Sequence, residues 1–517
     1  MYEKIKFSNF RNIYLGLRYY LRLFFNRKGI LELLDDKSIH LLKRKIGLKR
    51  ILIFCPSLNL DTPNFLSVGL RAFINSAKCV GVQIEFVQCI NFLNICHLGG
   101  SPFSPNNKMP CFSCKKVNSK IYRDLDIIEL SFEKKDYSVG LRSLSLKTLK
   151  DYNYEGINLG KLVSSSIIWI KRHSELNNES KEYFIRLISD SINLKNYFEN
   201  FGLEEYDGVV VFNGISFPES ILYEMCKLRD VNVATFEGGM SKKFEHSIEF
   251  NYGFTPQHNF KFDKYKNYDE KFFEDQVFAK TIEITNTNKA WKSTVSIFTN
   301  VSWDTSQYVS NSAFESMYDW LESLKEVFDN NSDVNFVIRP HPGENRKIKK
   351  TFYTVADWYS EEIDKIYPNV SLLSNVKNST SYNLIKQSDL ILVYNSTIGI
   401  EAAILGKKVI VSAKSHYSNL GFVISPQNRE EYLKTLNESL GSSSFEIDDS
   451  LIDLSKKYYY QLCNDVAYPL DNFMSSKNNK TIKINENNLT NEALLKESRF
   501  IKLVENFLNK KELKYSN

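Results

Sequence analysis

Arg339-Pro340-His341-Pro342 sets a guanidinium and an imidazole in a loop stiffened by two prolines, and Asn395-Ser396-Thr397 sets an amide and two hydroxyls at a turn. Groups of this kind neutralise phosphate. A turn that opens a helix adds backbone N–H groups and the positive end of the helix dipole. Glu401 follows Thr397 by one helical turn, where a carboxylate can accept two hydrogen bonds from a ribose diol. The same residues also suit a serine-capped helix with a surface glutamate, and the spacing alone does not separate the two readings.

The elements that must hold these groups read as strand, turn, helix, strand. Leu390-Ile391-Leu392-Val393-Tyr394 is a run of five largely apolar residues, small and apolar residues recur at helical spacing through Ile398–Leu405, and Gly406 precedes the β-branched run Val409-Ile410-Val411. Upstream, Asn335-Phe336-Val337-Ile338 forms a strand that ends at Arg339. In a parallel sheet the strand ends and their following loops line one crevice, so Arg339, His341 and the Asn395–Thr397 turn are expected to face one ligand.

In that order Arg339-Pro340-His341-Pro342, Ser388-Asp389, Asn395 to Ala402, Gly406-Lys407-Lys408-Val409-Ile410, and His416-Tyr417 with Gly421 beyond resemble a known family. It is the donor-binding half of bacterial capsule and surface-polysaccharide glycosyltransferases, which include the Kdo transferases of capsule export. The resemblance spans residues 293 to 425. It implies an α/β GT-B architecture of two Rossmann-like domains facing a cleft. It further implies a nucleotide-sugar co-substrate (UDP-, CMP- or GDP-linked), a surface polysaccharide or lipid-linked glycan as acceptor, and no required cofactor or metal. Arg339, His341, Asn395, Ser396, Thr397 and Glu401 become donor-binding candidates. Asn300, Ser302 and Asp304 join them, because they stand at the end of the strand read over Ser293–Asn300 and at its tip Val301–Asp304, in the loop that approaches the donor phosphates in the resembling enzymes. A polyol-phosphate transferase, a nucleotide-sugar epimerase or a non-catalytic scaffold of a polysaccharide-synthesis complex would share these motifs.

The first half of the chain repeats the strand, helix, strand order. Arg50–Ser57, Val82–Cys89, Tyr206–Gly214 with its closing turn, and Val231–Phe236 read as strands of another Rossmann-like domain. No Gly-x-Gly-x-x-Gly follows its first strand, so no dinucleotide site is expected there. Glu237 at a strand end and Asp61 in the loop after the first strand are the candidate acid or base, with His341 as a third catalytic candidate. The Asp124-Leu125-Asp126 triplet precedes an apolar run instead of ending a strand, and is read as structural and not as a metal-binding pair.

The domains expected are an arm at 1–49, an acceptor domain at 50–285, a donor domain at 286–440, and a polar segment with a C-terminal crossing helix at 441–517. The net charge of +6 is uneven. Residues 1–50 hold 13 Lys and Arg against 4 Asp and Glu, which leaves the rest of the chain at −3. That distribution argues against a general nucleic-acid surface and for a local contact. Residues 8–28 place Arg11, Arg18 and Arg22 on one helical face and Ile13, Leu17, Tyr20, Leu21 and Phe24 on another, as in a helix lying on an anionic membrane. Packing of this arm on the protein itself is the alternative. With no long apolar run, the expected location is cytoplasmic, peripheral on the inner face of the plasma membrane. The eight cysteines are expected to be reduced. Cys96, His97, Cys111 and Cys114 form a weak candidate zinc set, since only the last pair has standard spacing.

Overall fold

The computed structural model describes residues 49–61, 65–89, 92–96, 124–130, 132–239, 246–253, 262–274, 291–345, 351–373, 378–477, 481–485 and 499–513, with Cys111, Tyr122, Gln276, Asn488 and Ala493 besides. The basic arm, and with it the membrane-surface helix expected over residues 8–28, lies outside these residues. The described chain forms two compact α/β units. The first takes the chain to Lys171, then Leu176–Lys261, and again from Leu462; the second takes Arg172–Glu175 and Phe262–Gln461.

In the first unit β1 (Arg50–Phe54), α1 (Phe65–Cys79), β2 (Gln83–Cys89), β3 (Asp126–Leu130), α2 (Leu159–Lys171), α3 (Lys181–Glu199), β4 (Gly208–Phe212), α4 (Glu219–Leu228), β5 (Val233–Gly238) and β6 (Ser247–Asn251) follow in order. The strands lie side by side as β6-β5-β4-β1-β2-β3, parallel except for β6. Ile51–Phe54 and Val209–Val211 are fully buried, which explains why these strands read as unbroken apolar runs: helices cover both faces of a parallel sheet. The strand order reverses direction between β1 and β4.

In the second unit β7 (Ser293–Phe298), α5 (Thr305–Ser310), α6 (Met317–Ser323), β8 (Val334–Arg339), α7 (Val355–Glu362), β9 (Val370–Leu372), α8 (Asn378–Gln387), β10 (Leu390–Val393), α9 (Ile398–Ile404), β11 (Lys408–Val411), α10 (Arg429–Gly441) and α11 (Asp449–Gln461) build an all-parallel sheet ordered β9-β8-β7-β10-β11. Its reversal lies between β7 and β10. Trp320, Phe336, Leu392 and Tyr432 anchor its core.

The chain then returns to the first unit. β12 (Tyr468–Pro469) pairs antiparallel with β6, and α12 (Arg499–Leu508) packs on α1. Phe500, Leu503, Val504 and Phe507 form the buried stripe of α12, at helical spacing, and each contributes about 1.5–3 kcal/mol through burial. A Cβ on Gly208 would lie 2.5 Å from the Phe507 ring, so β4 opens on the one residue that lets this helix settle. The boundaries expected at 285 and 440 therefore fall at Lys261 and Gln461. The second boundary moves because α11 packs against α9, which extends the second unit past the end of α10.

Asp124 of the triplet accepts from Arg71 Nη2 at 2.6 Å and Lys78 Nζ at 2.7 Å. Burial by itself raises this carboxyl, but the two cations overcome it and hold it at about 2. Arg71 is 3% exposed. Asp124→Asn leaves that guanidinium buried without its counter-charge and is expected to cost about 3 kcal/mol at pH 7 by urea denaturation. Because the folded pKa is depressed, the parent protein is expected to lose about 2 kcal/mol as pH falls from about 4 to 2. An Asp124→Asn midpoint equal to the parent's would show that the pair does not support the fold.

Candidate functional site

The carboxyl ends of β8, β7 and β10 come level with one another: Arg339 pairs with Phe298, and Phe298 with Val393. The ladder continues one step beyond, with Thr299 N–H donating to the Arg339 carbonyl at 3.3 Å and Tyr394 N–H to the Phe298 carbonyl at 3.4 Å. The proline loop and the Asn395 turn thus emerge from the same edge of the sheet, separated by one strand. At the spacing of neighbouring strands that is about 10 Å. Ligands of open α/β sheets bind where the strand order reverses, which here is the gap between β7 and β10.

Three amides meet at that gap. Asn395 N–H points to Asn300 Oδ1 at 3.5 Å, and Gln307 Nε2 donates to Asn395 Oδ1 at 3.0 Å. Gln307 belongs to α5, which Asp304 caps by accepting from Ser306 N–H at 3.0 Å. Asp304 is therefore occupied in positioning that helix. Asn300 N–H is directed at Met317 Sδ, 3.2 Å away, and Ser302 is buried.

Arg339 is 4% exposed, and burial lowers its pKa. Its Nη1 donates to the Pro340 carbonyl at 2.9 Å and its Nε to Ser381 Oγ on α8 at 3.3 Å. An arginine stays cationic in this setting, so its charge acts through a medium far less polar than water. His341 Nδ1 accepts from Gly343 N–H at 3.0 Å, which places the proton of the neutral ring on Nε2. A Cβ on Gly343 would sit 2.8 Å from that nitrogen, so the loop needs a glycine there.

Thr397 precedes α9 in helical geometry and makes no side-chain cap. Ser396 Oγ accepts loosely from Ile398 N–H at 3.4 Å, and the Ser396 carbonyl takes the Tyr417 hydroxyl and Gly399 N–H. With seven residues α9 aligns few peptide dipoles, so its N-terminus carries only a weak positive field of its own. Glu401 is 2% exposed, on a helix packed against α11 and β11. A Cβ on Gly399 would meet the Tyr417 hydroxyl at 2.5 Å, and Tyr417 is fully buried. Gly399→Ala is expected to displace that ring from Ser396 at a cost of about 1–3 kcal/mol. A urea midpoint within error of the parent's would contradict the role given to Tyr417.

Glu237 and Asp61 belong to the first unit. Glu237 is half-buried on β5 directly across from Glu249 of β6, which is fully buried. Asp61 closes the turn Pro56–Asp61 after β1, and its side chain is outside the described residues. The sequence reading misses Glu219. This carboxyl is fully buried at the first sheet's own reversal and accepts Ser57 N–H at 2.8 Å and Ser57 Oγ–H at 2.6 Å, linking the loop after β1 to α4. Burial raises it to about 7 against those two hydrogen bonds. Its position in the first turn of a helix after a strand was the available signal. Glu344, in the proline loop itself, and Gln307 were also missed. Of the cysteine set, Cys96 and Cys111 are half-buried thiols, whereas His97 and Cys114 lie outside the described residues. Among the described residues no three His, Cys, Asp or Glu side chains gather as a metal would need, and no helix is long and apolar enough to cross a membrane.

The family expectation holds over the region that carries this edge: residues 251–439 match the family described as "Capsule polysaccharide biosynthesis protein". No curated protein matches the chain. Among solved structures it is similar to the beta Kdo 2,7 transferase of Thermosulfurimonas dismutans KpsC, at 15% identity and a TM-score of 0.28 over 48% of this chain and 75% of that one. It is similar also to Neisseria meningitidis UDP-GlcNAc 2-epimerase bound to UDP-GlcNAc, at 12% and 0.24 over 80% and 99%. A third is the N-terminal domain of Candida albicans trehalose-6-phosphate phosphatase, at 12% and 0.33 over 83% and 95%. At these TM-scores the likenesses are remote and carry no functional weight.

Proposed function

We propose that this protein is a glycosyltransferase of capsule synthesis that moves a sugar from a nucleotide-sugar donor to a surface polysaccharide or lipid-linked glycan. The observation that carries the reading is the coincidence of the capsule-family match with a strand reversal at whose edge the Arg339 loop and the Asn395 turn emerge together. The family segment, residues 251–439, contains β7, β8 and β10 together with Arg339, His341 and Asn395.

In this reading Arg339, His341 and the donors of the Asn395–Thr397 turn meet the negative charge that grows on the leaving phosphate. Such preorganised donors often supply the largest share of a rate enhancement. Glu401 takes the ribose, and the reaction proceeds without a bound metal. Glu237 and Asp61 stay as candidates for the proton acceptor on the acceptor side, and Glu219 holds the loop after β1 beside them.

A thermal-shift panel of UDP-, CMP- and GDP-sugars tests this. A donor at a hundred times its Kd is expected to add about 2.7 kcal/mol of stability and to raise the melting temperature accordingly. No response to any nucleotide would leave the scaffold reading in its place. Conversion of a UDP-sugar without acceptor would assign an epimerase instead.

A further inference from the structure

Gln307 is 5% exposed, and its two amide atoms have unequal surroundings. Nε2 donates to Asn395 Oδ1 at 3.0 Å, while Oε1 is shut off from solvent and has no hydrogen-bond partner. A buried amide oxygen left in this state costs about 1–3 kcal/mol of stability. The group it touches explains what is gained. Asn395 has one acceptor atom and one donor atom in its side chain. Gln307 occupies the acceptor, and the backbone N–H of Asn395 is already directed at Asn300 Oδ1. In this arrangement the half-buried Asn395 amide has Nδ2, with its two N–H bonds, on the side away from the Gln307 contact.

We infer that Gln307 is a positioning residue which fixes Asn395 as a pure hydrogen-bond donor toward an anionic oxygen, the phosphate of the donor nucleotide, at the gap between β7 and β10. Released from Gln307, the Asn395 amide could turn its own oxygen toward that phosphate, where two like-charged acceptors repel. The inference rests on the nucleotide-sugar reading above, and it adds a specificity rule: the crevice favours a ligand that presents only acceptors at this point.

The test compares binding of CMP, UDP and GDP with that of the matching nucleosides cytidine, uridine and guanosine, by calorimetry, in the parent protein, Gln307→Met and Gln307→Glu. Methionine keeps the side-chain length and removes both polar atoms. Glutamate keeps an acceptor only, and so pulls Asn395 Nδ2 back toward position 307 and turns Asn395 Oδ1 outward. For the nucleotide that binds the parent, Gln307→Met is expected to weaken affinity about tenfold and Gln307→Glu by more, with nucleoside affinity changed less than twofold in both. A merely structural role would weaken nucleotide and nucleoside together, and that result overturns the inference. Equal nucleotide affinity in parent and variants also overturns it while leaving the nucleotide-sugar reading intact. If the parent binds none of the three nucleotides, both fall. Should Gln307→Met fail to fold, Gln307→Glu carries the comparison, since it preserves volume and one polar partner.

Discussion

Arg339→Ala is expected to lower sugar transfer at least about tenfold, on the order of 1.4 kcal/mol of transition-state stabilisation, with a smaller change in KM for the donor. The guanidinium sits at the end of β8, level with the ends of β7 and β10, and its 4% exposure keeps water from screening it. A charge held in such a place is already oriented when the leaving phosphate gains its own charge, so nothing has to reorganise during the reaction. Arg339→Lys keeps the charge but loses the planar fork that reaches both Pro340 and Ser381, and an intermediate rate is expected. Because the Pro340 bond also shapes the loop, each variant needs its melting temperature beside its rate. A well-folded Arg339→Ala protein that turns over within twofold of the parent would remove this residue from the mechanism.

Glu344→Gln is expected to flatten the fall in stability between pH 5 and 9. Glu344 is 1% exposed, and burial, aided by the nearby Asp357 carboxylate and opposed by Val355 N–H, raises its carboxyl to about 8. A folded pKa above the unfolded one near 4.5 means that the folded state keeps a proton the unfolded state has released. Stability is therefore full below about 4.5, declines as pH rises, and levels off above 8. The decline from this group is on the order of 4 kcal/mol. Glutamine can still accept from Val355 N–H and has no proton to lose. Glu219, at about 7, acts in the same direction from the other unit, so Glu219→Gln is expected to add to the effect independently. Urea unfolding of parent and variants at pH 5, 7 and 9 measures this, and parallel pH profiles for parent and Glu344→Gln would refute the assignment of the slope.

The strands were legible because parallel strands buried on both faces leave a continuous apolar signature: Ile51–Phe54, Val209–Val211 and Leu390–Val393 have no polar interruption. The edge that groups Arg339, His341 and Asn395 was legible for the same reason, since strand ends fix where loops emerge. The amide lock was not, because a glutamine in a short polar helix has no periodicity to distinguish it from a solvated one. Glu219 and Glu344 escaped notice because their perturbation arises from burial, and burial at a loop or helix start has no local pattern in sequence. The end of the second unit was less legible: the polar composition after Gly441 is interrupted by the apolar run Leu454–Leu462, and only burial of Ser455, Tyr458 and Tyr459 shows that α11 belongs to that unit.

The return of the chain to its first unit sets the order in which a nascent polypeptide can fold. The α1 helix and β6 leave the ribosome early, but Phe73 and Phe250 belong to a core that Phe507 completes. Residues 262–461 must be synthesised between them, a delay of about 10 to 40 s at ordinary elongation rates. The unit that begins first therefore finishes last, and during that interval the aromatic face that Phe507 covers stays open to solvent. A message truncated before codon 499 would yield a complete second unit joined to a first one with its core uncovered.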